Sequence, residues 1–226
     1  MPKVYLAPSN QVENRYAYGN TTEAVQCGKI AEACKAALER SGVTVQVGHM
    51  IHMSEKISQS NAFGADLHVP IHTNAFNGTV TGTRMFCFSS GGEGMKACKA
   101  IFARLAPITP GTSESIQVND YDEIVYTNAP AAYVECEFHD NATTAKWIVE
   151  HTTDIGEAIA KGLCKYLGVA FVPAQTQKPA EDTKADTGDV LYRVQVGAFA
   201  NRANAEKMLD RLKKAGFSGF IVKGKK

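Results

Sequence analysis

The stretch PAAYVECEFHDN, residues 130–141, decides the fold. Ala132 to Glu135 reads as a short buried strand, bounded by Pro130, and a carboxylate stands at its end. Residues spaced for a helix follow from Thr143 to Tyr166, with an irregularity expected near Thr152 and Thr153. Upstream the same alternation repeats. Val4–Leu6 is a strand, broken by Pro8, and a helix follows from about Thr22 to Arg40. That helix turns Cys27, Ile30, Ala31, Cys34, Ala37 and Leu38 inward. Asn20 or Thr21 is the expected N-cap, and Gly42 the stop. Val43–Val47 is a strand, Ser54–Gly64 a helix, Asp66–Ile71 a strand, Thr83–Phe88 a strand and Gly94–Leu105 a helix. A Pro/Thr/Ser-rich loop then runs to about Asp120. Strands that alternate with helices predict an α/β domain of three layers around a mostly parallel sheet. Ligands of such sheets sit beyond the carboxyl ends of the strands, where His72 and residues 135–139 fall.

Composition narrows the function. The 226-residue chain is 44% hydrophobic with a formal net charge of +1, which argues against disorder and against a strongly charged partner. No basic run points to nucleic acid. Cys27, Cys34, Cys87, Cys98, Cys136 and Cys164 are scattered without a CxxC pair, as expected of buried free thiols. MPKVYLAPSN enters a strand at once and lacks the apolar core of a secretory signal. No apolar run approaches the ~20 residues of a membrane span. The expected location is the cytosol unless something else releases the protein.

The chain divides near Val172. VPAQTQKPAEDTKADTGD is rich in Pro, Thr, Ala and charge, so residues 172–188 read as a flexible linker between a 1–171 domain and a 189–226 tail. In the tail, Tyr192, Val194 and Val196 alternate as in a strand. Asn201 caps a helix whose inner face is Ala205, Met208, Leu209 and Leu212, and FSGFIV forms a second strand. One β-α-β unit of that size is small to fold alone.

Three segments carry chemistry: NTTE ending at Glu23, PIHTNA with His72, and the 130–141 stretch with Glu135 and His139. Hydrolysis at a zinc ion needs a few nitrogen or oxygen ligands, an open position for water and a carboxylate to take that water's proton. A carboxylate inside an apolar strand is costly unless paired or on a metal, which singles out Glu135 as the base. Glu137, two residues on and on the same face, is its rival. His68 shares a strand face with His72 but is too distant along it to share one ion, and reads as a packed core residue. Trp147 reads as helix packing, and His49, His52 and His151 have no supporting context.

Together these motifs resemble the zinc-dependent N-acetylmuramoyl-L-alanine amidases of the third amidase family, over about Lys3 to Val169. The resemblance implies a mixed sheet flanked by helices, one Zn2+, and cleavage of the amide between the muramic acid lactyl group and L-alanine of peptidoglycan. By motif position it makes Glu23 and His72 zinc ligands and Glu135 the base. The family's first histidine ligand is missing: PSNQ stands there, so Asn10 or Gln11 occupies the slot. His139 is the other candidate for a third ligand, although in extended chain it sits roughly 13 Å from Glu135, at about 3.3 Å per residue. Some clostridial-type lysins share the Pro-Ser-x-Gln and Phe-His-Asp combination. Asn74, Tyr126 and Asn128 are candidates to line the substrate groove. The tail resembles one repeat of a SPOR domain, a glycan-binding module normally built of two, which predicts a homodimer formed through the repeat. An endolysin or mother-cell autolysin is the setting implied. Two other readings remain open: a metal-free wall-binding protein that has lost catalysis, and a zinc carboxypeptidase trimming stem peptides.

Overall fold

In the computed structural model, which describes residues 1–174, 197, 199–214 and 219–223, β1 (Lys3–Pro8) lies between β2 (Thr44–Val47) and β3 (Leu67–Asn74). Beyond β3 come β6 (Tyr133–Phe138), β4 (Arg84–Cys87) and β5 (Ser115–Val118), giving one six-stranded sheet. Every neighbouring pair is parallel except β4 and β6. The mostly parallel three-layer α/β fold expected from the sequence is the fold observed.

Helices α1 (Glu23–Arg40), α3 (Gly92–Leu105) and α6 (Thr152–Leu167) pack on one face, over Leu6, Leu67, Val69, Ile71 and Val134. The six residues placed inward on α1 by their spacing are all fully buried. Two glycines of α6 set how closely its neighbours approach. A Cβ on Gly156 would lie 2.7 Å from the backbone of Cys34 and Ile30, and one on Gly162 would lie 2.4 Å from the Ile101 Cα. The opposite face of the sheet is more polar. It carries Tyr5, His68, His72, Tyr133 and Glu135, covered in part by α2 (Met53–Phe63), whose Gln59 bonds the Tyr5 hydroxyl at 3.0 Å.

Several boundaries differ from expectation. Helix α1 starts at Glu23 with Thr22, not Asn20 or Thr21, in the extended cap position, and Thr22 makes no side-chain cap bond. The polar loop expected to run to Asp120 contains edge strand β5, and the short helix α4 (Asp122–Val125) follows it. The irregularity near residue 152 is a break at His151 between α5 (Ala142–Glu150) and α6. All six cysteines are buried free thiols.

A second compact unit runs from Gln177 to Lys226. Asn201 accepts from the Ala203 amide and so caps α7 (Arg202–Lys214), on which Ala205, Met208, Leu209 and Leu212 are the half-buried positions. The first expected tail strand, LYRVQVGAF, lies outside the described residues apart from Gly197 and Phe199. Gly219 to Val222, the described part of the second, joins no ladder among them.

Candidate active site

The carboxyl end of β3 meets the first turn of α1. There the Glu23 Oε1 lies 2.9 Å from Nδ1 of His72, and both residues are buried. Asn14 donates to the other Glu23 oxygen at 2.6 Å and to Oε1 of Gln11 at 2.7 Å, which ties the 9–14 loop to the site. Burial alone would raise the Glu23 carboxyl, but the bonds from His72 and Asn14 outweigh it and hold the group below its ordinary value.

Strand β6 supplies the next layer. His72 is the register partner of Glu135, so the two side chains leave the sheet on the same face. Glu135 keeps some exposed surface, yet its Oε2 meets neither solvent nor a hydrogen-bond donor. Burial, reinforced by the negative charge of Glu23, pushes this carboxyl well above the ordinary carboxylate range. Tyr133, two residues back, stacks on the His72 ring with centroids 4.8 Å apart. A cavity of about 400 Å³ opens over His72 and Tyr133, and Asn10, Gln11, Lys56 and Glu123 also line it.

Glu137 has another task. Its Oε2 accepts from the amides of Gly82 at 2.6 Å and Phe138 at 3.2 Å, and its Oε1 from that of Gly111 at 2.8 Å. It pins two loops to the end of the sheet.

His139 is not brought to Glu23 and His72. Its Nδ1–H donates to the Thr73 carbonyl at 2.9 Å, and the ring stacks on Tyr16, whose hydroxyl bonds the Thr73 hydroxyl at 2.9 Å. Thr73 follows His72 on β3, so its side chain faces the other side of the sheet. Among the described residues, no group of three His, Cys, Asp or Glu side chains is placed to share one cation. Asn10 and Gln11 do share the cavity with His72; Asn10 donates its amide to the Ile51 carbonyl at 3.0 Å.

Of the expected groove residues, Asn74 caps the Ala75 amide at the mouth of β3. Tyr126 is largely exposed, while the amide of Asn128 is held by Asn61 at 2.7 Å. Asn128 lines a second hollow of about 290 Å³ with Phe88 and Gly92, which shares no lining residue with the first. Sequence reasoning missed Lys56 and Glu123. Lys56 is buried with its ammonium 2.6 Å from the Pro8 carbonyl, and burial lowers its pKa against the opposing charge of Glu123. Neither stands in a recognisable motif. The polar positions Lys56 and Ser60 on the inner face of α2 are the one signal that could have exposed Lys56.

The N-acetylmuramoyl-L-alanine amidase family model matches residues 9–165, from the loop after β1 to within the last turn of α6. The chain belongs to that family. It is an amidase, and a SPOR domain model matches residues 169–223 behind the catalytic part. The amidase is 22% identical to the sporulation-specific N-acetylmuramoyl-L-alanine amidase of Bacillus subtilis, over 98% of this chain and 85% of that protein. It is 23% identical to the N-acetylmuramoyl-L-alanine amidase CwlM of Bacillus licheniformis, over 76% of this chain and 62% of that one. Its fold is similar to the catalytic domain of CwlV from Bacillus (Paenibacillus) polymyxa, with a TM-score of 0.67 and 18% identity over 75% of this chain and all of that one. It is also similar to the catalytic domain of the CD27L endolysin targeting Clostridia Difficile, with a TM-score of 0.60 and 17% identity over 73% of this chain and 98% of that one. Among the described residues no helix is long and apolar enough to cross a membrane.

Proposed function

We propose that this amidase hydrolyses the bond between the lactyl group of N-acetylmuramic acid and L-alanine in peptidoglycan, with a zinc ion as cofactor. The observation that carries the reading is the pairing of Glu23 with Nδ1 of His72 on the face where Glu135 keeps an unpartnered oxygen. An imidazole and a carboxylate converging at 2.9 Å suit a borderline-soft dication, and the bare Glu135 oxygen is the kind of group such a site uses. The residues fit zinc. Glu23 and His72 would hold it, and the shared cavity favours the Asn10 or Gln11 amide oxygen over His139 for the third place.

Zinc, when bound, polarises the scissile carbonyl and makes water a nucleophile at neutral pH. Glu135 takes the proton of the attacking water and returns it to the departing alanine nitrogen. Tyr133 walls one side of the His72 ring and limits how far it can swing. Glu137, by fixing the Gly82 and Gly111 loops, keeps the end of β6 and therefore Glu135 in register. The substrate chain would lie across the cavity over His72, and the SPOR region would hold the enzyme on the wall. A phage-type endolysin or a mother-cell autolysin is the setting we favour.

Mass spectrometry of digested peptidoglycan tests the bond. Lactyl-ended glycans and stem peptides with a free L-alanine amine are expected, and both should disappear in chelator and return with zinc. Release of single amino acids from intact muropeptides would instead make the protein a carboxypeptidase. Digestion unaffected by chelator would remove the metal.

A further inference from the structure

Beside the Glu23–His72 pair lies a second carboxylate that neither the motifs nor the proposed reaction employs. Glu123, on α4, is buried. Its Oε1 lies 3.3 Å from Nε2 of His68, and its Oε2 lies 3.9 Å from Nε2 of His72. Nε2 of His72 is itself buried without a hydrogen bond, as is Nδ1 of His68. A neutral imidazole carries one proton, so each ring must place it on one nitrogen. For His68 the choice is plain: Nε2–H donates to Glu123, and the orphaned Nδ1 is a bare lone pair. That costs less than an orphaned N–H beside an available carboxylate.

His72 has two arrangements. With the proton on Nδ1 it donates to Glu23, and Nε2 is a lone pair facing a carboxylate. With the proton on Nε2, the carboxylate within reach is Glu123, whose Oε2 at 3.9 Å must draw in by about 1 Å to accept it, and Nδ1 presents its lone pair on the side of Glu23. Only the second lets Nδ1 and Glu23 bind a cation together, and ligating histidines generally send their other N–H to a carboxylate or carbonyl. His68, stacked on Tyr5 at 5.4 Å, steadies Glu123 from behind. Lys56, on the same cavity wall, offsets part of its buried charge.

We propose that Glu123 is the positioning residue for His72: it accepts the Nε2 proton, fixes the ring and its tautomer, and so readies Nδ1 for the metal. This inference rests on the zinc reading of the site and concerns a residue outside the NTTE, PIHTNA and 130–141 motifs.

The test is zinc affinity of the full-length protein, measured by competition with a chromogenic chelator, for wild type, Glu123→Gln, Glu123→Ala and His72→Ala. Loss of an outer-shell partner of this kind typically weakens metal affinity about 10- to 100-fold, which is the effect expected of Glu123→Ala. Glu123→Gln keeps an acceptor oxygen without its charge and should fall between that variant and wild type. It nearly preserves volume, so it decides the matter if Glu123→Ala does not fold. Long-range 1H–15N spectra of the zinc-loaded wild type should show His72 protonated at Nε2. A proton on Nδ1, or affinities of both Glu123 variants within about twofold of wild type, overturns the proposal. The wild-type titration comes first and separates the two ideas: a wild type that takes up no zinc fails the metal reading itself, and this inference falls with it.

Discussion

Glu23 and His72 are 49 positions apart in sequence, yet Oε1 of one lies 2.9 Å from Nδ1 of the other, where the first turn of α1 passes the carboxyl end of β3. The contact forms because β1 and β3 are adjacent parallel strands, so the helix that leaves β1 starts at the sheet edge where β3 ends. His72 of the proposed metal pair is therefore held by a buried central strand, and Glu23 by the first turn of α1, where Asn14 of the preceding loop bonds its other oxygen. Replacing His72 by Ala should remove zinc from the purified protein and abolish wall lysis, leaving the fold intact. Metal content and turbidity clearing would show both effects. A His72→Ala protein that keeps stoichiometric zinc would move the metal elsewhere.

Glu135 makes a two-part prediction. As general base its loss should slow lysis by on the order of 10²–10⁴ while zinc is retained. The stability effect runs the other way. Burial and Glu23 raise the folded-state pKa of this carboxyl above its unfolded value, so the folded chain holds its proton more tightly. The stabilisation is complete below the ordinary glutamate pKa of about 4.3 and is lost as pH rises through the folded value. Metal-free Glu135→Gln should therefore melt above the metal-free wild type at about pH 7, with the gap closing toward about pH 4. Equal melting at both pH values would mean that the carboxylate is already compensated.

His139→Ala separates a ligand from a structural residue. The ring joins Thr73 and Tyr16 through one hydrogen-bond cluster on the far side of β3 from the His72 side chain. Its removal should cost about 1–3 kcal/mol of stability, as is usual when buried polar partners are stranded, with zinc content unchanged. Substantial loss of zinc at full folding would restore His139 as the third ligand.

The fold was legible wherever burial is periodic. On α1 the inward residues named from spacing are those with no exposed surface, and β1 and β3 were recognisable because Val4, Leu6, Val69 and Ile71 alternate toward the helices, although the strands run on to Pro8 and Asn74, past the ends expected at Leu6 and Ile71. Strand β5 escaped notice because Ser115–Val118 lies at the sheet edge and is nowhere fully buried, so its composition resembles a loop. Glu23, His72 and Glu135 were legible through motifs. Glu123 and Lys56 were not, because each gains its meaning from a partner about 50 residues away: His68 for one, the Pro8 carbonyl for the other. Sequence also left Glu135 and Glu137 as rivals, since both face the same way. What separates them is the Gly82 and Gly111 loops, whose amides converge on Glu137 alone.

Glu137→Ala should accordingly act through stability. Three backbone amides lose their acceptor, and a cost of at least about 2 kcal/mol is expected in urea unfolding. Zinc affinity should be unchanged at temperatures where the variant is folded. Activity per folded molecule should fall far less than for Glu135→Gln; an equal loss would reopen the identity of the base.

The SPOR region bears on how the enzyme engages an intact wall. Helix α7 turns Ala205, Met208, Leu209 and Leu212 to a half-buried face, so the apolar side of the unit is only partly covered among the described residues. Strand edges and apolar faces of this kind recruit partners. Pairing with the same segment of a second chain is the arrangement we expect, giving a dimer with two catalytic domains. Ending the chain at Ala174, two residues before the boundary between the compact units, should leave an amidase domain with its core complete. That variant should be monomeric, keep its zinc and hydrolyse soluble wall fragments at the full-length rate, while clearing intact walls more slowly. Light scattering on the two proteins decides the pairing. A full-length protein that stays monomeric at tens of micromolar rules out the dimer, and slower clearing of intact walls by the truncated form would then reflect lost binding by a single SPOR unit.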